Sequence, residues 1–183
     1  MDHDDTLLHD AARLQAALGP LGDALRARAW RLATAESCTG GLIAALCTSV
    51  AGSSDWFDRG FVTYSNAAKT AQLGVPAPLI EAHGAVSQPV AEAMALGALA
   101  HSEAQLALAV TGIAGPGGAV PGKPVGTVWL AWAWRRPEGA SEGMPQAHSR
   151  LLSLPGDRTA VRSATVAAAL QAAQELLQGV PRS

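Results

Sequence analysis

The sequence predicts a three-layer α/β/α sandwich around a mixed β-sheet, folded as a single domain over residues 1–183. Three observations predict it. Helix-like and strand-like stretches alternate through most of the chain, the order that covers a sheet with helices on both faces. The stretch Gln105 to Val110 is apolar at every position after Gln105, as in a central strand buried on both sides. Small polar or glycine-rich clusters follow three of the strands, where open α/β sheets place their ligands.

In chain order, residues 6–29 read as a helical amino-terminal segment, with Leu7, Leu8, Ala11, Leu14 and Leu18 at helical spacing and a break expected at Gly19-Pro20. Arg31 to Ala35 reads as a first strand, and Thr39 to about Val50 as the helix after it. Arg59 to Ser65 is β-branched and aromatic, and reads as a second strand. Asn66 to Gly74 is a two-turn helix closed by glycine. A short helix over Pro76 to His83 follows, then a longer one capped by Ser87 with Pro89 in its first turn. After the central strand comes a glycine-rich loop from Thr111 that runs to Pro124. Long structureless loops are often functional. Val125 to Trp134 and Ala147 to Leu154 read as strands, joined by a polar connection over 135–146. A last helix, capped by Asp157, runs to about Gln178.

Composition narrows the function. The formal net charge is −2 and no basic stripe is visible, so nucleic acid is not expected as a partner. The longest apolar runs are too short to span a bilayer. No signal peptide is visible, because residues 2–5 are Asp-His-Asp-Asp. The two cysteines, Cys38 and Cys47, are expected as free thiols of a cytoplasmic protein. Neither sits at ligand spacing from a second Cys or a His, so no metal site is expected. A homodimer is left open.

The densest chemistry lies in Glu36-Ser37-Cys38-Thr39-Gly40-Gly41, at a strand-to-helix turn. Ser37 there is a candidate nucleophile beside free backbone amides. The plain alternative is a helix N-cap by Ser37 or Thr39, and spacing alone favours it. Arginine outnumbers lysine eleven to two, which singles out Lys69 and Lys123, since a lysine can act as a base and an arginine cannot. Tyr64, the one tyrosine, ends the second strand, and Lys69 lies about a turn into the next helix, reaching back to the same sheet edge. Serine needs a neighbouring base, and Ser-Lys pairs are a known solution. Packing and a solvated charge are the alternative for Tyr64 and Lys69. The Thr111-Gly112-Ile113-Ala114-Gly115-Pro116 loop offers backbone amides to a phosphate, though it is no P-loop. Arg158 and Arg162 open the last helix, where cations oppose its dipole; an anion would explain them, and so would surface solvation.

As a set, Ala35 to Gly41, Gly52-Ser53-Ser54 with Trp56-Phe57, Arg59 to Asn66 with Lys69, His83 to Ser87, Thr111 to Pro116, Lys123 to Thr127 and Gly156-Asp157-Arg158 resemble the CinA carboxy-terminal domain family, the nicotinamide-nucleotide amidases. The resemblance covers about residues 30–165, in order, and leaves residues 1–29 without a signal. It implies a hydrolase that converts nicotinamide mononucleotide to nicotinic acid mononucleotide and ammonia, in pyridine nucleotide salvage. It implies Ser37 as nucleophile, Lys69 as base and Tyr64 as a residue that relays or holds the proton. It further implies an oxyanion site near the amides of Thr39, Gly40 and Gly41, with Asn66, Thr111, Gly112, Gly115 and Arg158 around the nucleotide. No cofactor is implied, and the additional amino-terminal domain of some members is not expected. The competing expectation is a non-catalytic interaction domain linked to competence and DNA recombination.

Overall fold

The computed structural model of the chain describes residues 3–135 and 145–180. The elements, in order, are α1 (His3–Arg26), β1 (Leu32–Glu36), α2 (Leu42–Cys47), β2 (Phe57–Val62), α3 (Asn66–Leu73), α4 (Ala77–His83), α5 (Gln88–Ala100), β3 (Leu106–Gly112), β4 (Thr127–Trp134), β5 (Gln146–Ser153) and α6 (Arg158–Gly179). A single 3-10 turn at Ser53–Asp55 leads into β2. The five strands form one sheet in the order β2-β1-β3-β4-β5. β1 is parallel to both β2 and β3, while β4 and β5 run antiparallel. The sheet is therefore mixed, and the carboxyl ends of β1, β2 and β3 share one edge.

Alternation along the strands sorts two cores. Leu106, Leu108 and Val110 of β3, with Val128 and Leu130 of β4, face the layer of α1, α2 and α6. Ala107 and Ala109, with Ala131 and Ala133, face α5. The small alanines let α5 lie close to the sheet. That helix buries Val90, Ala91, Met94, Ala95, Ala98 and Leu99, so it is apolar on most of its faces. The continuous apolar run read as a central strand is β3, fully buried from Leu106 to Val110.

Local expectations change at several places. The second strand, read over Arg59 to Ser65, is β2 at Phe57–Val62, so Tyr64 lies in the connection to α3 rather than at the strand's end. α1 runs through Gly19 and Pro20 without a break. A proline inside a helix costs about 3 kcal/mol. Leu18, Leu21 and Leu25 are all fully buried around it, and burial contributes roughly 1.5–3 kcal/mol for each such side chain. The sum favours the continuous helix. α2 starts three residues later than expected, because Gly40 and Gly41 hold φ of 61° and 96° in the turn before it. Ser87 sits at the N-cap position of α5 but does not cap it; its hydroxyl donates to the carbonyl of Gly84 at 2.8 Å. Asp157 does cap α6, accepting from the amide of Ala160 at 2.9 Å. The polar connection expected over 135–146 lies largely outside the described residues. No described helix is long and apolar enough to cross a membrane.

Candidate active site

β1 delivers Glu36 and Ser37 to the carboxyl edge of the sheet. Ser37 is nine-tenths buried and its amide donates to the carbonyl of Val110, which fixes it against the end of β3. The side chain of Glu36, fully buried, accepts five hydrogen bonds. One oxygen takes Thr34 Oγ1 at 3.2 Å and the amide of Ala44 at 2.8 Å. The other takes Thr39 Oγ1 at 2.7 Å and the amides of Gly41 and Ile43 at 3.0 Å each. The start of α2 is thus capped by Glu36. Neither Ser37 nor Thr39 caps it, contrary to the simpler reading of the spacing.

This capping changes which amides are free. The Gly40 amide donates to the carbonyl of Ser37 at 3.1 Å, and the Gly41 amide is held by Glu36. Among the described residues, no oxygen accepts from the amides of Cys38 and Thr39. The amides expected to hold an oxyanion at Gly40 and Gly41 are therefore already occupied, and the two without an oxygen acceptor lie one and two residues after Ser37, turned toward the Cys38 sulfur.

Lys69 reaches the same edge from α3. Ser65 caps that helix, accepting from the amide of Ala68 at 3.0 Å, and so sets where its first turn begins. The lysine is 1% exposed. Its Nζ lies 3.1 Å from Ser37 Oγ and donates to the carbonyl of Thr63 at 2.9 Å. None of the ion pairs among the described residues involves Lys69. Burial without a counter-charge holds the amine below the ordinary lysine range. Burial acts in the opposite sense on the thiols, pushing Cys38 up to about 11 and Cys47 to about 12. Both cysteines are free, and burial disfavours the thiolate of each.

Lys123, the other lysine singled out, does a different job. Its Nζ donates to the carbonyls of Val86 at 2.7 Å and His83 at 3.3 Å. Thr111 Oγ1 donates to the carbonyl of Ala85 at 2.8 Å. Together they tie the segment after α4 to the glycine-rich loop.

An open cavity of about 210 Å³ lies between these parts. Its lining brings together Ser37, Tyr64, Asn66, Lys69, Thr111, Gly112 and Arg158 of the residues expected at a site. Cys38, Ala85 and Val86 also line it, and the sequence did not single them out for that. Thr39, Gly40, Gly41 and Gly115 are not among the residues that line it. Gly115 contributes its carbonyl to Arg158, whose Nη1 donates to it at 2.9 Å. Arg158 Nη2 donates to the hydroxyl of Tyr64 at 3.0 Å. Tyr64 is 60% exposed, and its recorded partner is Arg158 rather than Ser37 or Lys69. Arg162 does not line the cavity; its Nη2 donates to the carbonyl of Thr39 at 2.8 Å. Gly112 is in van der Waals contact with β4, where an added Cβ would lie 2.8 Å from the carbonyl oxygen of Thr127.

Glu36 is the neighbour of the site to which sequence reasoning gave no role, and Arg162, read with Arg158 as an anion contact, instead holds the carbonyl of Thr39. Glu36 carried a signal: it is the one acidic residue between Asp23 and Asp55, and it ends an apolar strand just ahead of a helix. Arg162 carried the signal shared with Arg158, a cation at a helix start, but nothing that pointed to Thr39.

Fold and cavity define an α/β-sandwich protein that presents a buried serine–lysine pair at the carboxyl edge of parallel strands. More narrowly, the chain belongs to the CinA C-terminal domain family, whose model matches residues 15–177. It is 53% identical over 156 residues to the nicotinamide-nucleotide amidohydrolase PncC of Pseudomonas putida, across 85% of this chain and 92% of that protein. It is 50% identical over 159 residues to the protein of the same name from Escherichia coli K12, across 86% and 92%. Among solved structures, the competence damage-inducible protein A of Klebsiella pneumoniae superposes with a TM-score of 0.84 at 39% identity, covering 92% of this chain and 99% of that one. The competence/damage inducible protein CihA of Agrobacterium tumefaciens superposes at 0.82 and 42% identity, covering 90% and 95%.

Proposed function

We propose that this chain is an amidohydrolase that deamidates nicotinamide mononucleotide to nicotinic acid mononucleotide and ammonia, a step of pyridine nucleotide salvage. The observation that carries the reading is the contact between Ser37 Oγ and the buried Nζ of Lys69, which has no carboxylate partner among the described residues. The names of the relatives from Pseudomonas putida and Escherichia coli supply the substrate.

In this reading the neutral amine of Lys69 takes the proton of Ser37 as Oγ attacks the carboxamide carbon. The amides of Cys38 and Thr39 receive the oxyanion. Removing one such donor typically costs about 2.7–4 kcal/mol of barrier. Lys69 then passes its proton to the departing nitrogen, which leaves as ammonia. The acyl-enzyme ester is cleaved by water, with Lys69 again as base, to give the carboxylic acid and free Ser37. Thr63 holds the amine in place through its carbonyl throughout.

A cavity of about 210 Å³ is smaller than the roughly 300–1,000 Å³ typical of ligand sites. It suits the pyridine carboxamide, with ribose and phosphate extending toward the exposed Arg158. Asn66 and the Thr111 to Gly115 segment flank that path. Ammonia release from nicotinamide mononucleotide by the pure protein tests the reading. Binding of the nucleotide without release would favour a non-catalytic role instead.

A further inference from the structure

Glu36 lies outside the cavity lining and outside hydrogen-bonding reach of Lys69, yet it takes more hydrogen bonds than any other side chain of the turn. Burying a carboxylate with no cation beside it is costly. An apolar residue of similar volume would end β1 more cheaply. The five donors show what the carboxylate holds: Thr34 below, Thr39 beside, and the amides of Gly41, Ile43 and Ala44 above. Four of the five belong to the turn that follows Ser37 or to the helix it opens.

Thr39 is gripped from two sides. Its hydroxyl is bound by Glu36 at 2.7 Å, and its carbonyl by Arg162 at 2.8 Å. The amide is the one polar group of Thr39 left without an oxygen acceptor among the described residues. Ser37 is fixed through its amide by Val110, and through its carbonyl by Gly40. Cys38 lies between these two pinned residues.

We propose that Glu36 is a positioning residue for the amide hydrolysis: its carboxylate pins the turn after Ser37, so that the amides of Cys38 and Thr39, which donate to no oxygen among the described residues, are held in place for the oxyanion. This role rests on the deamidase reading above. Occupying the amides at the start of α2 also keeps them from competing for the substrate's anionic groups. Glutamine has the right shape but the wrong chemistry here. The threonine hydroxyls could turn to accept from its amide nitrogen, but at one oxygen position that nitrogen would still meet the amide of Ala44 and at the other those of Gly41 and Ile43, so the turn would have to shift. A shift of about 1 Å at a site of this kind costs about 100-fold in rate.

The experiment is steady-state ammonia release from nicotinamide mononucleotide, for wild type and Glu36→Gln, across pH. Thermal unfolding confirms that each protein is folded. The expected result is a fall in kcat of about 100-fold, with KM within about threefold of wild type and the basic-group limb of the pH profile unmoved. A kcat within about threefold of wild type overturns the proposal. So does a rise in KM that accounts for the loss, which would place Glu36 in substrate binding, or a displaced limb, which would mean that it acts on the charge of Lys69. If Glu36→Gln does not fold, Thr39→Val carries the test. It removes one donor at nearly constant volume and is expected to lower kcat about tenfold at constant KM; an unchanged kcat overturns the proposal. No ammonia from the wild type would remove the deamidase reading and this role together. Wild-type turnover matched by Glu36→Gln would remove this role alone.

Discussion

The Nζ of Lys69 and the Oγ of Ser37 are 3.1 Å apart, with the lysine held from behind by the carbonyl of Thr63. A neutral amine there can accept from the serine and donate to the carbonyl at once. Ser37→Ala and Lys69→Met are each expected to lower kcat by on the order of 10³-fold or more. Lys69→Arg is expected to fail with them, because guanidinium keeps the charge but cannot take the proton. Ammonia release by folded protein is the measurement. Turnover by Lys69→Arg within about tenfold of wild type would reduce Lys69 to an electrostatic contact.

The same burial sets two pH dependences. Lys69 is held below its ordinary value of 10.5 by desolvation. The rate of deamidation should rise with pH as the amine loses its proton, and level off below the ordinary lysine range. For stability, the unfolded chain keeps the Lys69 proton to higher pH than the folded chain does. Between the folded and unfolded values the unfolded state binds more protons, so stability rises with pH. Cys38 and Cys47 act in reverse. Raised from 9.0 to about 11 and about 12, they keep protons in the folded state that the unfolded chain loses, so stability falls as pH rises above 9. The lysine contribution is therefore read across the alkaline range below 10.5 as the difference between wild type and Lys69→Met, in which the cysteine contributions cancel. Urea unfolding there should give a more positive slope of stability against pH for wild type than for Lys69→Met. Equal slopes would mean that the folded-state shift of Lys69 is absent.

Much of this was legible in residue types. The apolar run of β3, the glycines at turns and the cap at Asp157 each express a local rule that packing then obeys. Ser37 was legible because it follows a strand end, and Lys69 because it is one of two lysines and sits a turn into the helix after the next strand, although 32 residues separate them. Their meeting depends on β1 and β2 being parallel neighbours, which no local pattern states. Glu36 was hidden for the opposite reason. A carboxylate before a serine looks like one more polar residue in a loop, and only the folded turn shows that it consumes the helix amides. Pro20 misled because propensity argues for a break, while three buried leucines around it argue for continuity. Arg158 and Arg162 looked alike, one turn apart; a rotation of about 40° on the helix sends one to the cavity and the other to the carbonyl of Thr39.

Two backbone positions give opposite stability predictions. α1 ends in a Schellman arrangement, with the Trp30 amide bonded to the carbonyl of Leu25 and the Ala29 amide to that of Arg26. Ala29 occupies the left-handed position, at φ 51°, where glycine is ordinarily found. Ala29→Gly should stabilise the fold by about 0.5–1 kcal/mol, the relief of strain being partly offset by unfolded-state entropy. Gly112→Ala should destabilise it by about 1–3 kcal/mol, because the new Cβ would lie 2.6 Å from Val128 Cγ2 and 2.8 Å from the carbonyl of Thr127. Chemical denaturation of both variants checks the pair. A neutral Gly112→Ala would show that β4 can move aside, and would make that glycine usable for probing the cavity.

The phosphate is best tested through Arg158, because substitution at Gly112 disturbs β4 first. Arg158 donates to Tyr64 and to the carbonyl of Gly115, at the open side of the cavity. The substrate phosphate, a dianion, would gain charge-assisted bonds there, which are about twice as strong as neutral ones. Binding of that remote group can also be used to orient the amide against Ser37. Nicotinamide riboside, which lacks the phosphate, should therefore be a much poorer substrate in kcat/KM. Arg158→Ala should lower kcat/KM for the mononucleotide by about 10–100-fold and leave the riboside nearly unchanged. Tyr64→Phe separates two roles for the tyrosine. If its hydroxyl serves to orient Arg158, the variant should be impaired on the mononucleotide and not on the riboside. Equal impairment on both would return Tyr64 to the reacting amide as a proton relay. Equal kcat/KM for mononucleotide and riboside in the wild type would remove the phosphate from the Arg158 site altogether.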